Sequence, residues 1–96
     1  MYARVAAFEG GDVDRIRQVN EERRQQPGWM PEGVKRVMVL NDDGGNKRLF
    51  ITFFDSREAL DAANQTFEQM GNQIPEEVRG RRESLDVYEV VADEAV

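Results

Sequence analysis

Alternation of apolar and polar side chains along the chain predicts four strands, and two stretches of helical spacing separate them. Residues 2–8, Tyr-Ala-Arg-Val-Ala-Ala-Phe, read as the first strand, which Gly10-Gly11 breaks. Asp12 is placed to cap a helix. Asp14 falls in its first turn, where the helix dipole favours acids, and Val13, Ile16 and Val19 recur on one side. Glu21 to Gln26 form a solvated end. Pro27-Gly28 and Pro31-Glu32-Gly33 then frame a loop that holds Trp29 and Met30. Val34 to Leu40 and Arg48 to Phe54 are strands two and three, joined into a hairpin by Asn41-Asp42-Asp43-Gly44-Gly45-Asn46. Asp55, three residues before Glu58, offers a variant capping box for a second helix. That helix has Ala59, Leu60, Ala63, Phe67 and Met70 on one stripe and ends at Gly71. Pro75-Glu76-Glu77-Val78 suits one further helical turn, and Leu85 to Val91 is the last strand.

The order is β-α-β-β-α-β, an α+β domain of the split β-α-β type with a four-stranded antiparallel sheet. Residues 1–92 form one domain, and 93–96 form a tail.

Period-two alternation also sorts the strand residues onto two faces. Ala3, Val5, Ala7, Val37, Val39, Leu49, Ile51, Phe53, Leu85 and Val87 make a purely apolar set, the natural seat for two helices. The other set is Tyr2, Arg4, Ala6, Phe8, Arg36, Met38, Leu40, Arg48, Phe50, Thr52, Phe54, Asp86, Tyr88 and Val90. It is far too apolar for a solvent face. With both helices committed elsewhere, a second copy of the chain packed sheet to sheet is its simplest cover. Arg4, Arg36, Arg48, Asp86, Thr52 and Tyr88 need partners there. Either they form ion pairs within and between subunits, or they line a cavity that holds water or a polar ligand.

Composition narrows the chemistry. In 96 residues there is no cysteine and no histidine. Disulfides, thiolate and imidazole metal ligands, and Ser-His or Cys-His nucleophile pairs are therefore excluded, and no metal or cofactor is expected. The net charge of −6 opposes binding to nucleic acid or anionic membranes. No apolar run reaches spanning length and the N-terminal run is too short for a signal peptide, so a cytoplasmic protein is expected. A calcium loop counted from Asn41 needs glycine at its sixth place and glutamate at its twelfth, where this chain has Asn46 and Thr52. Phe50 sits where an RNA-recognition motif displays a stacking ring, but the rest of that signature is missing. Arg79, Arg81 and Arg82 form the one basic cluster, read as a solvated loop beside Glu76, Glu77 and Glu83.

Residues 34–63, above all Phe53-Phe54-Asp55-Ser56-Arg57-Glu58-Ala59-Leu60, resemble the antibiotic-biosynthesis-monooxygenase-like proteins of the dimeric α+β barrel superfamily, as does Asp86-Val87-Tyr88-Glu89-Val90-Val91. The resemblance implies a ferredoxin-like protomer with two helices on one face of the sheet. It also implies a homodimer closed through the other face into a barrel, and a small-molecule pocket. Some members of the family oxidise phenols with molecular oxygen and no cofactor, others degrade haem, and many have no known activity. This chain has Phe54 where the family often has tryptophan. It has Arg4 and Ala6 where oxidising members carry an asparagine, and it lacks the histidine of the haem-degrading members. No catalytic residue carries over.

The candidate ligand-binding set is Arg4, Arg36, Met38, Arg48, Phe50, Thr52, Phe54, Asp86 and Tyr88. Guanidinium forks suit a carboxylate or phenolate, and Tyr88 is a candidate donor to an oxyanion. The expectation is a homodimer binding a small aromatic or anionic molecule, either as a cofactor-independent monooxygenase or as a non-catalytic ligand-sensing module.

Overall fold

The computed structural model describes residues 1–72 and 74–96. The elements are β1 (Tyr2–Glu9), α1 (Val13–Arg24), β2 (Val34–Asn41), β3 (Lys47–Phe54), α2 (Arg57–Asn72), α3 (Glu76–Arg79) and β4 (Arg81–Glu89). This is the expected β-α-β-β-α-β order, with the short extra turn α3 before the last strand. One antiparallel sheet runs β2-β3-β1-β4, the ferredoxin-like arrangement.

Local chemistry sets the ends of the elements. The Asp12 carboxylate accepts the Arg15 backbone N–H and caps α1. At α2 the cap is Ser56, whose hydroxyl oxygen accepts the Ala59 N–H at 3.1 Å. Asp55, the expected cap, lies one residue too early and instead faces Lys35 at 3.6 Å. The Asp42 carboxylate accepts the N–H groups of Asn46 and Lys47 and closes the β2–β3 turn. Gly11 and Gly80 allow the β1–α1 and α3–β4 turns to touch. A Cβ on Gly80 would lie 2.7 Å from the Glu9 carbonyl oxygen, and one on Gly11 would lie 2.6 Å from the Gly80 nitrogen.

The stripe on α2 seats the helix on the sheet. Leu60, Ala63 and Phe67 bury against Phe54, and Tyr2, Met30, Val34, Phe50, Met70 and Val87 pack around them. Phe67 meets Phe50 and Phe54 edge to face, with centroids 6.1 and 6.5 Å away. By contrast, α1 has no buried residue. It stands over the sheet without closing onto it.

This packing corrects the face assignment for β1 and β3. The helix-facing set is Tyr2, Arg4, Ala6 and Phe8 of β1 with Arg48, Phe50, Thr52 and Phe54 of β3. The set expected there, Ala3, Val5, Ala7, Leu49, Ile51 and Phe53, turns to the open side. For β2 and β4 the assignment holds. Val37 pairs with Thr52, Val39 with Phe50, and Val87 with Arg4, all on the helix side. The helix side is the one on which Phe50 and Phe54 meet Phe67 edge to face and Arg4 reaches Asn64 and Glu68 of α2.

Candidate functional site

Because α1 stands off the sheet, a partly open cavity of about 120 Å³ lies between them, bordered by residues of α2 and α3. From the sheet come Arg4, Ala6, Phe8, Val39, Arg48, Phe50 and Arg82. Helix α1 contributes Ile16, Asn20 and Arg23, and α2 contributes Phe67, Glu68 and Met70. Trp29 and Met30 of the α1–β2 loop, with Ile74 and Arg79, complete the lining. A broader recess along the β2 edge shares Asn20, Trp29, Met30, Val39 and Phe50 with the cavity and extends it toward solvent.

The walls are mostly apolar, yet five arginines and one glutamate line them. In a protein of net charge −6 this is a local reversal of sign. Arg4 is only 3% exposed. Its Nε donates to Asn64 Oδ1 at 2.9 Å and its Nη2 to Glu68 Oε1 at 3.3 Å, while its guanidinium carbon sits 4.8 Å from the Phe67 ring centroid. Burial lowers the Arg4 pKa from its usual value, Glu68 opposes that shift, and Arg82 adds to it. Glu68 also accepts from Arg82, so one carboxylate serves two guanidinium groups.

Arg48 is different. It is 4% exposed, and its Nε donates to Asn41 Oδ1 at 3.0 Å. Its Nη1 donates to the Arg79 carbonyl oxygen at 3.4 Å. Its Nη2 is buried without a hydrogen-bond partner, as is Nε of Arg79.

The structure divides the residues singled out from sequence. Arg4, Arg48 and Phe50 line the cavity. Thr52 and Phe54 are fully buried on the same face but outside the lining, and the Thr52 hydroxyl has no partner. Met38, Asp86 and Tyr88 belong to the open face, where Tyr88 is 55% exposed; Arg36, on edge strand β2, lies over Phe53 there and also lines the recess beside the cavity. Asp86 forms no ion pair with any arginine among the described residues. Arg79 and Arg82, read from sequence as part of a solvated loop, line the cavity. Trp29 was legible as a ring held between two turns, whereas Phe67 and Glu68 were hidden in an ordinary amphipathic helix.

Two sequence comparisons return nothing: no family model and no curated protein matches the chain. Solved structures do match. A protein of Chloroflexus aurantiacus described as a candidate antibiotic biosynthesis monooxygenase superposes with a TM-score of 0.61 at 15% identity, covering 98% of this chain and 96% of that one. A variant of MhuD with two manganese protoporphyrin IX molecules per active site gives 0.60 at 14% identity, with both chains wholly covered. A Deinococcus radiodurans protein, also described as a candidate antibiotic biosynthesis monooxygenase, gives 0.50 at 12% identity over 100% of this chain and 96% of that one. This chain therefore has the ferredoxin-like fold of the antibiotic-biosynthesis-monooxygenase-like proteins from end to end.

Proposed function

We propose that this protein is a homodimeric α+β barrel that binds a small aromatic or anionic organic molecule between its sheet and helices. The observation that carries the reading is the lining of the cavity. Apolar rings and aliphatic chains surround arginines that outnumber acids five to one, which is the make-up of a site for an apolar body with a negative group. Dimerisation rests on the open sheet face, where Val5, Met38, Leu49, Ile51 and Phe53 present an apolar patch that no element of the chain covers among the described residues. MhuD holds a porphyrin, but this chain has neither histidine nor cysteine to ligate haem iron. No step through haem is assigned to it.

A thermal-shift screen of small aromatic acids and phenols tests the reading. Saturable rises in Tm are expected, since a ligand bound only to the folded state stabilises it by RT ln(1 + [L]/Kd). They should disappear when Asn20→Trp fills the cavity from α1. A screen with no rise for any compound overturns it.

Cofactor-independent oxidation of an aromatic or anionic substrate is the second reading, favoured by the descriptions of two of the matching structures. In it the cavity orients the substrate and its arginines stabilise a developing oxyanion. Oxygen uptake with a phenol, lost in Arg48→Ala, supports it. Saturable binding without uptake assigns the protein to non-catalytic ligand sensing.

A further inference from the structure

Arg48 carries a buried positive charge that no carboxylate among the described residues pairs with. Its two hydrogen-bonded nitrogens meet neutral oxygens only, the Asn41 amide and the Arg79 carbonyl. Its third nitrogen meets none. An uncompensated buried guanidinium costs stability, and a guanidinium cannot shed its proton to avoid that cost. Glu68, the one carboxylate in the lining, is already shared by Arg4 and Arg82. The second orphan donor, Nε of Arg79, belongs to the residue whose carbonyl Arg48 reaches. Both arginines line the cavity, and among the described residues neither is paired with a carboxylate. Phe8 faces Arg48 across the β1–β3 ladder, and Phe50 lies two residues along the same strand.

We infer that the cavity takes a small monocarboxylate with an apolar body, its carboxylate held by Arg48 and Arg79 and its body packed against Phe8 and Phe50. The inference rests on the reading of the cavity as a binding site and adds the class of molecule. A guanidinium offers donors and no acceptor, so a group with acceptors alone, such as a carboxylate, fits it. A single carboxylate can accept from both guanidinium groups, one oxygen to each. A volume of about 120 Å³ suits a single ring, since a dry cavity of about 150 Å³ holds benzene.

Calorimetric titration of the whole protein with phenylacetate and with its neutral isostere phenylacetamide tests this at neutral pH. Phenylacetate should bind at least about tenfold more tightly, the worth of a charge-assisted hydrogen bond. In Arg48→Met that preference should fall to near unity, and Arg48→Lys should retain part of it. Arg79→Met, a second variant at a less buried side chain, should lower the preference by several-fold. Arg57→Met, at an exposed position away from both recesses, should leave it intact. Equal binding of the two probes, or a preference that survives both the Arg48 and Arg79 variants, overturns the carboxylate assignment and leaves the binding site standing. Inorganic phosphate binding as tightly as phenylacetate overturns the apolar body. Failure of both organic probes to bind overturns the inference together with the binding-site reading.

Discussion

Arg4 and Glu68, 64 positions apart in sequence, meet at 3.3 Å where β1 passes beneath α2. The pair ties the sheet to the helix that seats on it. It also fixes the only carboxylate among the described residues of the cavity lining, which sets the charge that any ligand encounters.

Removal of that carboxylate leaves Arg4 buried with only Asn64 and the Phe67 ring for company. Glu68 is itself partly exposed, so water screens part of the loss. Glu68→Ala should cost about 1–2 kcal/mol and lower Tm by roughly 5–10 °C for a domain of this size. Arg4→Met with Glu68→Ala should recover much of it, because the buried charge goes too. Thermal unfolding of the two variants checks both expectations.

Gly80 has φ +87° and ψ 173°, a region that L side chains avoid, and any Cβ there runs into the Glu9 carbonyl. Gly80→Ala should destabilise the protein by about 2–4 kcal/mol. Gly45→Ala, at φ +71° with open space around it, should cost about 1 kcal/mol. Urea unfolding of both variants measures the difference; equal costs would show that the close turn contact contributes nothing.

The hydrogen bond from Arg81 is the main cause of a lowered Glu83 pKa, with Glu9 and the charges of Arg81 and Lys47 adding to it. A carboxyl whose folded pKa is depressed stabilises the fold above its unfolded pKa, and that contribution is lost as pH falls through the folded value. Carboxyl NMR titration should place the Glu83 midpoint below the usual glutamate value, and Arg81→Ala should bring it back. Both side chains are open to solvent, so added salt should shrink the shift.

Sheet-to-sheet pairing predicts a species of twice the 11.0 kDa protomer mass in light scattering, and Ile51→Asp, at the centre of the open face, should reduce it to the monomer. Arg36 lies on edge strand β2 and Asp86 on edge strand β4 of that same face. Three strand spacings, ~14 Å, keep them apart within one chain. A two-fold axis along the strands lays β2 of one copy over β4 of the other and brings the two charges together. Arg36→Glu should then weaken the dimer, and Arg36→Glu with Asp86→Arg should restore it. A wild-type monomer at micromolar concentration would refute the pairing.

The element order was legible because its signals are local. Asp12, Gly10-Gly11, the Asn41–Asn46 turn and the stripe of Leu60, Ala63 and Phe67 each act within one turn or hairpin, and each element lies within a few residues of its expected span. A single-residue change in phase already lost accuracy: Ser56, not Asp55, is the cap. The faces were harder. Alternation states that Arg4 and Ala6 share a side with Phe8, and they do. It is silent on which side the helices take, and in β1 and β3 both sides are apolar enough to attract one.

The sequence by itself determined four strands, two helices and a sheet with a second face too apolar for solvent. Tertiary structure alone decided that Phe50 and Phe54 lie under Phe67, that Arg48 stays buried beside the Arg79 carbonyl, and that Arg4 and Arg48 part from Arg36 and Asp86 onto the helix side. The reason is range. Strand and helix signals come from neighbours along the chain, whereas the site is set by contacts between residues 31 to 64 positions apart, and these exist only once α2 and α3 have docked on the sheet.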